Sequence, residues 1–134
     1  TRYISVTGVQ TCALPICGRG AIRSWDAASG NLQVAGTSRL GKSSEAVITS
    51  FTSKRSVSWS TRIPKSVKAL VSGSCVATEN ATSDTFIHLF DGKGKQLKIA
   101  RLERQELLGV ATTPSKGCAL LTVASTDGVR VSYL

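Results

Sequence analysis

Chemistry-bearing side chains are scarce in this sequence. It holds a single histidine, His88, with no nucleophile or carboxylate spaced to partner it, which argues against a catalytic dyad or triad. Its cysteines make no Cys-x-x-Cys or Cys/His spacing, so no metal site is implied. No run approaches the roughly 18 apolar residues of a membrane-spanning helix. Acidic residues are few, 8 against 17 basic ones, yet the cations stand as singles and pairs such as Lys54-Arg55 and form no tract. Aromatics do not interleave with them as in a nucleic-acid platform, which leaves weak attraction to nucleic acid as a lesser reading. Catalytic residues, metal and cofactor are accordingly expected to be absent.

What the sequence does hold is β structure. Its 134 residues suit one domain, and the 41% apolar content, spread evenly, suffices for a core. The run from Thr85 to Leu97 reads as a strand, a turn at Asp91-Gly92 and a returning strand. The same phrase occurs at 21–32, and its opening half returns at 127–134. Between these, strands are expected over 46–51, 57–63 (ending at Pro64, which cannot donate to a ladder), 67–71, 75–78, 96–99, 108–111 and 119–125. Turns fall at 52–55, 72–74, 79–84 and 113–117. The 100–108 window fits either a helix or extended chain. The fold class is therefore all-β.

The first stretch stands apart. Residues 7–16 resemble the translated read-through of a sequencing adapter, a contaminant of assembled genomes, and the resemblance covers about residues 1–16. The segment is set aside from fold reasoning, and residues 17–134 are taken as the unit, expected to be part of a longer chain. Cys17, Cys75 and Cys118 then remain. Cys75 and Cys118 sit in apolar strand-like runs, where buried thiols are the preferred reading and a disulfide the lesser one. The compartment is not fixed on this basis, with cytoplasm or nucleus slightly favoured.

Aromatics at Trp25, Trp59, Phe90 and Tyr133 are separated by 34, 31 and 43 residues, which brackets the ~40-residue blade of a propeller repeat. Arg23-Ser24-Trp25-Asp26, followed by Ala27-Ala28-Ser29-Gly30, resembles the Trp-Asp strand end and turn of a WD40 or quinoprotein-like blade. The 119–131 segment resembles the paired middle strands of such a blade, and 75–89 the same pair one blade earlier. The pattern departs from WD40 in lacking a Gly-His pair. The resemblance implies a partial, about three-blade, β-propeller-like array of four-stranded antiparallel sheets. Because closed propellers have at least four blades, a blade face and strand edges should be left exposed. It implies a protein–protein interaction scaffold, with other proteins bound through a rim of loops, as in WD40 scaffold subunits or quinoprotein-like lumenal propellers.

One motif competes. Gly36-Thr37-Ser38-Arg39-Leu40-Gly41-Lys42-Ser43 matches the phosphate-loop pattern GxxxxGK[ST]. In that alternative, backbone N–H groups after Gly36 and Gly41 cradle phosphates, Lys42 reaches the terminal ones and Ser43 holds Mg²⁺. It requires a helix from Lys42 to Ser50, whereas 47–53 is β-branched and turn-like. His88 should lie on one strand face with Phe86 and Phe90 as a hydrogen-bonded structural residue. Asp84 and Asp91 are read as loop caps, and Trp25 and Trp59 as blade-packing aromatics in preference to a binding platform. Asn80-Ala81-Thr82 is a glycosylation acceptor sequence on a loop, relevant only in a secreted or lumenal chain.

Overall fold

The computed structural model describes residues 20–28, 30–40, 42–124 and 128–134, and the regular elements within them are all strands. The proposed adapter-like stretch 1–16, Cys17 and Gly41 lie outside the described residues. Strands β1 (Gly20–Ala28), β2 (Asn31–Leu40), β3 (Ser43–Phe51) and β4 (Val57–Pro64) form the first sheet. Strands β5 (Ser66–Ser72), β6 (Cys75–Asn80), β7 (Thr85–Phe90) and β8 (Gln96–Leu102) form the second. Strands β9 (Gln105–Thr112), β10 (Cys118–Ala124) and β11 (Gly128–Tyr133) form the third. Each sheet is an antiparallel meander in chain order, the partial propeller-like array that the resemblance implied. The 100–108 window is extended: β8 runs through Leu102, and Glu103-Arg104 leads straight into β9.

The middle sheet explains the stacking, because its two faces are both apolar and read out with period two. Ala69, Val71, Val76 and Phe90 pack on Ala35, Ala46 and Ile48 of the first sheet, with Trp59 and Ile63 at the margin. The alternate residues Cys75, Ala77 and Ile87 pack on Leu107, Cys118 and Leu120 of the third sheet. A sheet buried on both sides needs neighbours on both sides, which is why one meander cannot stand alone. On the third sheet, Val129, Val131 and Tyr133 of β11 and Leu121 of β10 are exposed, the open blade face anticipated above.

The first strands of successive sheets lie beside one another and are tied by side chain to backbone. Val71 N–H donates to Ser24 Oγ at 3.1 Å, Gly73 N–H to Asp26 Oδ2 at 2.6 Å, and Thr112 N–H to Ser72 Oγ at 3.1 Å. Thus β1, β5 and β9 run side by side through the array.

Cys75 and Cys118 are joined in a disulfide, not free, with a Cα–Cα distance of 5.7 Å and both side chains fully buried. Each is the first residue of the second strand of its sheet, so face-to-face packing of the two sheets brings them together. Trp25 is 70% exposed in β1, so it does not pack between blades. The four aromatics also hold unlike places, in β1, β4, β7 and β11. The recurring position is the end of each third strand, Phe51, Phe90 and Tyr133, spaced 39 and 43 residues.

Candidate functional site: a basic loop rim

Four hairpins close with one five-residue loop, at 52–56, 80–84, 91–95 and 113–117. In each, the first residue's N–H donates to the fifth residue's carbonyl, and the fourth N–H returns to the first carbonyl, as at Thr52, Asn80, Asp91 and Thr113. A side-chain oxygen of the first residue accepts the fifth N–H: Thr52 from Ser56, Asn80 from Asp84, Asp91 from Lys95 and Thr113 from Gly117. The fourth residue is left-handed, with φ of 65° at Arg55, 61° at Ser83, 84° at Gly94 and 63° at Lys116. These are side-chain-capped turns, which is why Thr, Asn and Asp open them.

Because the meanders alternate direction, the 52–56, 72–75, 91–95 and 113–117 loops share one rim. The one-residue link Lys65 and the two-residue link Glu103-Arg104 carry the chain between sheets at the other rim. The shared rim is drawn together by the Asp26–Gly73 and Ser72–Thr112 bonds and by Trp59, whose ring lies 5.7 Å from that of Phe90. A Cβ on Gly94 would stand 2.6 Å from the Trp59 indole, so glycine is needed both for its left-handed backbone and for this close approach.

This rim carries Lys54, Arg55, Lys93, Lys95 and Lys116, all exposed. Among the described residues none of the five joins an ion pair. Its two carboxylates, Asp26 and Asp91, are both engaged by backbone N–H groups. The N–H groups of Lys95 and then Lys93 hold the Asp91 carboxyl below the usual aspartate range. The opposite rim is mixed: Glu45 pairs with Arg62, Asp84 with Arg101, and Lys68 stands between Glu79 and Glu106. Asp84 is also held low, chiefly by the Arg104 N–H and then by Arg101. Both aspartates are thus loop caps, as anticipated.

His88 sits where the strand pattern placed it, buried between Phe86 and Phe90 and stacked on the latter at 6.0 Å. Its Nδ1 lies 2.7 Å from Gln96 Oε1 and its Nε2 3.3 Å from Thr78 Oγ1. With the Gln96 oxygen as acceptor, Nδ1 carries the proton and Nε2 accepts from the threonine hydroxyl, a satisfied neutral ring. Burial pushes its pKa below 6.5, partly offset by the Gln96 bond. A depressed histidine pKa means the unfolded chain binds the extra proton more readily. Folding stability is therefore expected to be full above pH 6.5 and to fall as pH drops below that value toward the folded pKa. In a His88→Gln chain, urea melts between pH 7 and 5 should lose most of that slope; an unchanged slope would assign it elsewhere.

The phosphate-loop residues do not converge. Gly36 is buried inside β2, paired with Ile22 and Val47, while Lys42 and Ser43 are exposed at the β2–β3 hairpin tip. Lys42 to Ser50 is not a helix, since β3 begins at Ser43, and Gly36 has its backbone in the sheet ladder. Trp25 and Trp59 lie on opposite edges of the first sheet, so they form no common platform. The rim itself was legible only as scattered charge, because its cations come together through the meander topology.

Among solved proteins, this chain is similar in fold to a bacterial one. The crystal structure of BamB from Moraxella catarrhalis is similar at a TM-score of 0.46 and 13% sequence identity, over 84% of this chain and 44% of that one. The chain thus spans less than half the length of that protein. No family model and no curated protein matches.

Proposed function

We propose that residues 17–134 form a propeller-type interaction scaffold that binds an acidic protein surface through the basic rim, with residues 1–16 foreign to it. The observation that carries this reading is the asymmetry between the rims. One presents five exposed cations that join no ion pair among the described residues, with Asp91 near Lys93 and Lys95, while on the other Arg62, Lys68 and Arg101 pair with carboxylates and Lys42 and Lys65 stand unpaired. Opposite potentials across an interface steer association and set specificity more than they add affinity. Rigid capped turns hold the cations on strand ends, so little loop ordering is lost on binding.

The test is binding of an acidic model peptide, such as a fluorescent oligoglutamate, by anisotropy at several salt concentrations. Reversing the rim (Lys54→Glu, Lys93→Glu, Lys95→Glu, Lys116→Glu) should weaken binding at least about tenfold, and salt should do likewise. Reversing Lys42 and Lys65 on the opposite rim should change it little. Equal losses from both sets would reduce the rim to part of a general positive charge. Preference for a single-stranded oligonucleotide over the peptide would favour the nucleic-acid reading instead.

A further inference from the structure

We infer that Asn80 is an N-glycosylation site and that the chain matures in an oxidising, lumenal or extracellular compartment. Two independent features converge on this. The first is the fully buried disulfide between Cys75 and Cys118, a bond that forms and persists where thiols are not kept reduced. It displaces the slight preference for cytoplasm or nucleus. The second is the shape of the acceptor sequence Asn80-Ala81-Thr82, the one Asn-x-Ser/Thr triplet in the chain.

Its turn orders the acceptor triplet. Asn80 Oδ1 accepts three hydrogen bonds, from Thr82 N–H at 3.0 Å, Thr82 Oγ1 at 2.9 Å and Asp84 N–H at 2.9 Å. Asn80 is half-buried at the edge of this turn, and its side-chain amide also hydrogen-bonds the Asp84 carboxylate. Ala81, Thr82 and Ser83 are all exposed, so the acceptor turn faces water and not the packed sheets. The chemistry is transfer from a lipid diphosphate-linked oligosaccharide. The Nδ2–C1 bond forms, the bond from C1 to the diphosphate oxygen breaks, the lipid diphosphate leaves, and the amide loses one proton to the transferase base.

The 80–84 turn lies on the rim opposite Lys54, Lys93, Lys95 and Lys116, so a glycan there leaves the basic rim uncovered. The glycosylation inference does not depend on what that rim binds.

The test is to direct the full chain into the secretory pathway of a eukaryotic cell and measure its intact mass with and without peptide N-glycosidase. One oligosaccharide is expected, with aspartate left at position 80 after enzymatic release and the Cys75–Cys118 bond intact. Asn80→Gln and Thr82→Ala should each abolish the mass increment, and Thr82→Ser should keep it, which separates acceptor chemistry from disturbance of the turn. A secreted, disulfide-bonded chain with unmodified Asn80 overturns the inference. So does a secreted chain in which Cys75 and Cys118 remain reduced.

Discussion

Removing the Cys75–Cys118 bond, by reduction or in a Cys75→Ala/Cys118→Ala chain, is expected to lower folding stability by about 4 kcal/mol. The bond closes a loop over a sequence separation of 43 residues, and most of its effect falls on the unfolded chain, whose freedom it restricts. The native state should change little, because both side chains are already seated in the core between the second and third sheets. The effect should also be uneven. The third sheet is anchored to the rest by that core and by the bonds of β9, so its amides should exchange first when the bond is absent. Urea melts with and without reductant measure the total, and hydrogen exchange measures its distribution. A loss below about 1 kcal/mol would mean that sheet packing alone holds the two strands in place.

The second large effect is expected at Leu107. This side chain is fully buried among Cys75, Ala77, Ile87, Cys118 and Leu120, and Leu107→Ala should cost about 2–5 kcal/mol. The upper half of that range is expected, because the backbone here cannot settle into the space left behind. The Leu107 N–H donates to Glu79 Oε1 at 2.7 Å, and its carbonyl accepts from Lys68 Nζ at 2.8 Å. The adjacent Leu108 faces water, 45% exposed, and Leu108→Ala should cost under about 1 kcal/mol. Chemical denaturation of the pair checks the register of β9 as well as its burial. If Leu108 proved the costlier of the two, the strand would be slipped by one residue, since a one-residue shift turns every side chain to the other face.

The strands and turns were largely legible, for reasons local to the chain. Alternation around His88 fixed which of Phe86, Ile87, Leu89 and Phe90 share a face, and turn residues at Thr52, Asp91 and Thr113 marked where hairpins close. The pairs 75–89 and 119–131 were correctly read as second and third strands of successive sheets. The phase of the repeat was harder. The largest side chains do not mark it: Trp25 stands in a first strand and Trp59 in an outer fourth strand, while Phe51 holds the repeated place. The disulfide was not legible because proximity of Cys75 and Cys118 depends on how two sheets stack, which no spacing along the chain encodes. The phosphate-loop match failed for a related reason. Gly, Ser and Lys serve a hairpin tip as readily as a phosphate cradle, and the β-branched Val47, Ile48 and Thr49 that follow settle the chain into a strand.

The five-residue loop has a consequence for how the molecule can change. Its closure constrains two positions only, the first by its side-chain oxygen and the fourth by its left-handed backbone. The second is unconstrained by it, and the third (at Thr82 and Lys93) and the fifth need merely an N–H. Lys54, Lys93 and Lys95 occupy such permissive positions, while Arg55 and Lys116 sit where glycine would be less strained. The surface text of the rim is therefore written in a different alphabet from the frame that holds it. Selection could rewrite its charge, shape or partner loop by loop, and the sheets beneath would register no change.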